Sequence, residues 1–165
     1  MVIAEVNDGL CEDNDACMFV TTLYAAFDAA TGRVDYVNAG HPHPLLVKAD
    51  GSAHYLPGTQ GMALGVMDGL SYNKASVVLE RGDLLLMFSD GVTEAMNEQA
   101  QEYGCDRLLA LFNQPGSAPG NKPLRPQDAV QKMVASVDEY ASGTEQSDDI
   151  TVIALLFNGV QGGAA

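Results

Sequence analysis

The chain has 165 residues, 22 of them acidic and 8 basic, for a net charge of −14. That balance speaks against nucleic acid or an anionic membrane surface as a partner, and it is compatible with a site that gathers divalent cations. The length suits one domain with a full hydrophobic core, and no apolar run approaches the length that spans a bilayer. The three cysteines, Cys11, Cys17 and Cys105, are odd in number and lack metal-ligand spacing. Cys11 and Cys17 read as buried or free thiols of a reducing compartment and not as a disulfide. Glu5 and Asp8 interrupt the only early apolar stretch, so no signal peptide is expected and the chain reads as cytoplasmic.

Ile3, Val6 and Leu10 recur at helical spacing and predict a helix from Val2 to about Asp13. It opens on Met1 without a capping signal, as if cut from something longer. Glu12-Asp13-Asn14-Asp15 has only a scrap of a calcium-loop pattern and reads as a solvated turn. Met18 to Asp28 is rich in β-formers and predicts a strand. Ala30-Thr31-Gly32-Arg33 turns it back into a strand over Val34 to Asn38. After the turn Asn38-Ala39-Gly40-His41-Pro42, Pro44 to Ala49 and Ser52 to Leu56 form a hairpin about Asp50-Gly51. His41 and His43 form His-x-His, but prolines flank them and no further His or Cys lies near, so a turn is the plainer reading than zinc. Pro57 to Gly69 is glycine-rich and irregular, and Tyr72 to Glu80 is the next strand.

The turn Arg81-Gly82-Asp83 leads into five unbroken apolar residues, Leu84 to Phe88, which predict a strand buried on both faces. Asp90 stands where this strand ends, followed by Gly91, and Val92 to Asn97 reads as a helix. Asp90 has two readings: a cap for that helix, or a rigidly held carboxylate suited to a metal ion or a reacting group. On this stretch alone the cap is the plainer one. A second helix is predicted over Cys105 to Phe112, then a loop from Gln114 to Arg125. Pro126 at a first helical position starts a third helix, with an apolar stripe of Val130, Met133, Val134, Val137 and Tyr140 and a stop at Gly143. Asp148-Asp149 then precedes Ile150 to Phe157, a further strand expected to be buried on both faces. Strands in a block, then helices, then one late strand argue for an α+β fold with a mostly antiparallel sheet. If the strands after Asp83 and Asp149 are antiparallel neighbours, Asp90 and Asp148-Asp149 meet at one sheet edge. Oxygen donors there suit magnesium or manganese, although aspartates before a strand are also ordinary turn residues.

Six motifs occur in a fixed order: Met18-Phe19-Val20-Thr21, Asn38-Ala39-Gly40-His41-Pro42, Leu64-Gly65-Val66, Gly82-Asp83-Leu84-Leu85-Leu86, Ser89-Asp90-Gly91-Val92-Thr93-Glu94-Ala95 and Asp148-Asp149-Ile150-Thr151. Together they resemble the SpoIIE-like branch of the PPM-type metal-dependent serine/threonine phosphatases, from about Val2 to Phe157. The resemblance implies a β-sandwich of antiparallel sheets flanked by helices, with two manganese or magnesium ions that activate a water for attack on a phosphoserine or phosphothreonine. It implies Asp90 and Asp148 as catalytic metal ligands, with Gly91 at the same turn and Asp149 as the alternative to Asp148. The expected substrate is a phosphorylated bacterial regulator of anti-anti-sigma type.

The family's Asp-x-x-Gly-His-Gly-like motif, whose Asp bridges both metals, has no counterpart here. Residues 1–158 are therefore expected to be the C-terminal part of a catalytic domain, with 159–165 a flexible tail. By itself such a chain should be nearly inactive, and its open strand edges should make it a homo-oligomer. Two other readings compete with the enzyme: the same fold as a catalytically inactive binding or regulatory module, and a plain α+β domain whose aspartates are caps and turns.

Overall fold

The computed structural model describes residues 2–114, 124–146 and 148–159. Two antiparallel sheets form the centre. The first, in the order β1-β2-β5, contains β1 (Thr22–Asp28), β2 (Arg33–Ala39) and β5 (Ala75–Val78). The second, in the order β4-β3-β6-β7, contains β3 (Leu45–Val47), β4 (Ala53–Tyr55), β6 (Leu84–Phe88) and β7 (Val152–Leu156). Among the described residues three α-helices flank them: α1 (Val2–Cys11), α2 (Gly104–Phe112) and α3 (Pro126–Tyr140).

Strand alternation sorts the side chains into three cores. Val34 and Tyr36 of β2 meet Leu46 of β3 and Leu85 of β6 between the sheets. Val37 and Ala39, on the opposite face of β2, pack with Ile3 of α1 and with Leu64 and Tyr72. Leu84, Leu86 and Phe88 of β6 face away from the first sheet and pack with Leu108 and Phe112 of α2 and with Ala129, Met133 and Val137 of α3. The layers therefore run helix, sheet, sheet, helices. This is the α+β sandwich that the motif order implies, and β6 is its double-sided strand.

Several local expectations are corrected. The first strand begins at Thr22 and not at Met18; it is an edge strand, largely exposed beyond Leu23. The strand expected over Tyr72 to Glu80 shrinks to Ala75–Val78. β7 is also an edge strand and is not buried on both faces, with Ile153 57% exposed. An uninterrupted apolar run cannot distinguish a central strand from an edge strand that has one covered face. The helix expected over Val92 to Asn97 is one 3-10 turn, Asp90–Val92. Beyond it the Asn97 carboxamide accepts the Gln99 and Gln101 N–H groups, a side-chain turn that competes with helix. The α3 stripe is Ala129, Met133 and Val137, with Val130 and Val134 only half-buried. In α1 the inward face carries Ile3 and Asn7, while Val6 and Leu10 are exposed. Asn7 is buried but satisfied: its amide donates to the Met67 carbonyl, and its oxygen accepts from Gly65 N–H and the Tyr72 hydroxyl. Residues 115–123 of the predicted loop and 160–165 of the predicted tail lie outside the described residues.

Among the described residues, buried charge is confined to a turn. Asp83 is fully buried and accepts from Lys48 Nζ at 2.6 Å and from the Ala49 and Glu80 N–H groups. On the first sheet, the Ser76 hydroxyl above all, with Lys74 and Arg33, holds the Asp35 carboxyl down at about 2 against the opposing effect of desolvation.

Three outcomes follow from this packing. Met133 has no exposed surface, so Met133→Ala should lower the unfolding free energy by about 2–5 kcal/mol in urea titration. A Cβ on Gly91 would lie 2.6 Å from the Asp149 carbonyl oxygen and 3.1 Å from that of Asp148. Those are backbone atoms with little freedom to move, so Gly91→Ala should cost about 1–3 kcal/mol by the same measurement. The third concerns pH. Asp35 binds a proton more weakly folded than unfolded, so its stabilisation is present above the usual carboxylate pKa of about 3.9 and is lost as pH falls toward 2. The Tm difference between wild type and Asp35→Asn should accordingly shrink between pH 5 and pH 2.

Candidate metal centre

β6 and β7 pair antiparallel, with Phe88 opposite Val152. Ser89 extends the pairing by one step. Its N–H donates to the Thr151 carbonyl at 3.0 Å, its hydroxyl donates to the Asp149 carbonyl at 2.9 Å, and the same hydroxyl accepts from Thr151 N–H at 2.9 Å. One serine thus staples the end of β6 to the start of β7. Gly91, without a side chain, lets the Asp148–Asp149 backbone lie against the Asp90–Gly91 turn. The juxtaposition of Asp90 with Asp148-Asp149 expected from sequence is present.

Asp90 is half-buried and is not a side-chain cap. The residue at the cap position of the 3-10 turn is Ser89, which makes no side-chain cap bond. Asp90 accepts from Thr93 and Glu94 N–H through its main-chain carbonyl, at 2.8 Å each. Among the described residues its carboxylate accepts only from the adjoining Gly91 N–H, at 3.1 Å. Lone pairs therefore remain for another donor or for a cation. Asp148 and Asp149 are exposed; the Asp148 carboxylate accepts from Asp149 N–H at 2.7 Å. None of the three aspartates is in an ion pair among the described residues.

His41 joins this edge from the first sheet. Its Nδ1 lies 3.2 Å from the Thr21 hydroxyl. Burial pushes the imidazole pKa down, opposed by the Asp90 carboxylate and by the Phe88 main chain. The His41 main chain is clamped by Asn38, whose Oδ1 accepts the His41 N–H at 2.9 Å and whose amide donates to the His41 carbonyl at 2.8 Å. His43, by contrast, turns to the Leu56 carbonyl at 3.2 Å. The two histidines do not act as a pair, which agrees with the turn reading of His-x-His. That reading missed the place of His41. The signal was a histidine in a turn that also holds an asparagine able to lock it, but only the packing of two sheets shows what its ring faces.

The structure brings the Asp148–Asp149 backbone to the Asp90–Gly91 turn, and carboxylate oxygens are the donors that a hard cation such as magnesium takes. Among the described residues no group of three or more His, Cys, Asp or Glu side chains gathers around a common point. They do not close a two-metal centre.

The family model for Stage II sporulation protein E (SpoIIE) matches residues 1–158. Protein IcfG of Synechocystis sp. (strain ATCC 27184 / PCC 6803 / Kazusa) is 31% identical over 147 residues, covering 89% of this chain and 22% of that protein. The phosphoserine phosphatase RsbP of Bacillus subtilis (strain 168) is 31% identical over 137 residues, covering 83% of this chain and 30% of RsbP. The chain thus spans less than a third of the length of these two relatives. In fold it is similar to the manganese-presoaked phosphatase domain of the cell fate determinant SpoIIE from Bacillus subtilis. The TM-score is 0.62 at 18% identity, over 84% of this chain and 56% of that one. With the family match running from the first residue of α1 to past the end of β7, and the same layered sandwich beneath it, the chain belongs to the SpoIIE family of PPM-type phosphatase domains.

Proposed function

We propose that the chain is part of a metal-dependent protein-serine/threonine phosphatase and that Asp90 and Asp148 are ligands of its metal site, with Asp149 the alternative to Asp148. The observation that carries this is the Ser89 staple and the Gly91 contact, which bring the ends of β6 and β7 together so that three aspartates share one edge. RsbP, a phosphoserine phosphatase, supports the reaction class, and the manganese-presoaked SpoIIE domain supports the metal. The substrate class we assign is a phosphoserine or phosphothreonine on a bacterial signalling regulator, of anti-anti-sigma type.

In this reading the chain's own residues bind and orient. β6 fixes the Asp90 backbone by burial on both faces, Ser89 sets the distance to β7, and the carboxylates offer oxygen donors without competing ion pairs. Asp90 and Asp148 would hold a manganese or magnesium ion, whose chemistry there would be the activation of a water and the polarisation of the phosphoryl group. Among the described residues no three or more His, Cys, Asp or Glu side chains gather as a metal site. The remaining ligands of a two-metal site must come from outside them, so the chain alone should bind manganese weakly and turn over little. That same shortage of donors favours a second reading, a PPM-like binding or regulatory module without catalysis.

Asp90→Asn and Asp148→Asn should each weaken manganese binding to the chain at least tenfold by calorimetry, with an unchanged circular dichroism spectrum. Wild-type affinity in both variants would remove the ligand assignment. Manganese-dependent release of phosphate from a phosphoserine peptide, by the full protein that contains the chain, separates the readings: turnover supports the phosphatase, and metal binding without turnover supports the module.

A further inference from the structure

Helix α1 stops at Cys11, and the chain reaches β1 at Thr22. Two asparagines tie this connection to the segment that follows Leu64. Asn7 holds the Gly65 and Met67 main chains, and the Asn14 amide donates to the Met18 and Gly65 carbonyls at 2.7 and 3.1 Å. A Cβ on Gly65 would lie 2.9 Å from the Met18 carbonyl oxygen, so glycine is what lets the two backbones approach. Between them lies a preformed cleft of about 860 Å³. Its apolar lining is Phe19, Val66 and Met67, which are 65%, 51% and 52% exposed. Large apolar side chains gathered at one exposed, concave place mark a surface for another molecule. Methionine adds a side chain that adapts its shape to what it meets.

The charge around the cleft has one sign. Asp8, Glu12 and Asp68 line it beside the apolar groups. No lysine or arginine occurs in residues 1–32 or 49–73, the two stretches that build it. None of the three carboxylates is in an ion pair among the described residues. Nor do they gather there with other acidic, cysteine or histidine side chains as a metal site. We infer that this cleft docks a basic amphipathic segment of a partner protein, one in which lysines or arginines flank an apolar stripe. The stripe seats on Phe19, Val66 and Met67, and the cations meet Asp8, Glu12 and Asp68. Complementary charge of this kind selects the partner and speeds the encounter. It also opposes the other occupants. A second copy of the chain would set the same acidic rim against itself, and an anionic membrane would be repelled. No residue lining the cleft belongs to the Asp90 edge, so the inference stands apart from the phosphatase reading.

Cys17 lines the cleft and is exposed, and Cys105 is exposed far off on α2, so two native thiols report occupancy with a built-in control. On the 165-residue chain, an amphipathic Leu/Lys peptide should bind by calorimetry, slow the alkylation of Cys17 and leave that of Cys105 unchanged. A Leu/Glu peptide of the same pattern should do neither. Glu12→Lys with Asp68→Lys should weaken binding of the Leu/Lys peptide about tenfold, as should Phe19→Ser with Met67→Ser, each with an unchanged circular dichroism spectrum. Ile153→Ser, which removes an exposed apolar side chain on β7, should leave binding unchanged. Absence of Leu/Lys binding, or binding that survives both double variants, overturns the inference. Protection of Cys17 by rising chain concentration and not by the peptide makes a second copy the occupant and overturns it too. So does a Cys17 that reacts in the chain but not in the full protein that contains it, since other parts of that protein then cover the cleft.

Discussion

Strand β6 sends Leu84, Leu86 and Phe88 into the core beneath α2 and α3, and Leu85 into the core between the sheets. A strand with no solvent face cannot slip by one residue without exchanging the occupants of both cores, and it cannot tilt without opening one of them. Each of its buried leucines contributes on the order of 2 kcal/mol of apolar transfer. That double burial is what the candidate site depends on. It makes the end of β6 a fixed point, so a carboxylate two residues later inherits a defined position without needing bonds of its own.

Two small residues convert this fixed point into a site. Ser89 uses one hydroxyl as donor and acceptor to register β7 against β6 beyond the last ladder pair. Gly91 leaves the space that the Asp148–Asp149 backbone occupies. A chain of net charge −14 has little positive charge to spare for these aspartates. Hydrogen bonds through main-chain atoms hold the aspartates in place without neutralising them.

The opposite sheet contributes through its loops. The glycine-rich segment between β4 and β5 has little secondary structure of its own, yet Thr59 locks Asn38, and the Gly65 and Met67 backbones are held by Asn7 of α1. Buried, fully bonded polar side chains of this kind specify one arrangement of irregular backbone, because any other leaves a donor or acceptor without a partner. Helix α1 and the turn that carries His41 are therefore tied to the same segment from two directions.

The sequence by itself determined the element types and the helix limits where periodicity and punctuation were strong: α3 begins at Pro126 as expected, and β6 is the double-sided strand that its apolar run predicted. It also placed Asp90 and Asp148-Asp149 at strand ends, and the motif order pointed to the layered sandwich. It could not rank β7 as an edge strand, because side-chain chemistry reports that a residue is covered and not how many neighbours its strand has. It assigned Val134 to the buried stripe of α3 where Ala129 belongs, since the inward face depends on the angle at which α3 lies across β6 and β7. Only the tertiary structure showed that Asp90 is not the cap of the 3-10 turn, and only it set the His41 ring beside the Thr21 hydroxyl. Both are long-range facts. They depend on where strands distant in sequence stop pairing, and no local spacing encodes that.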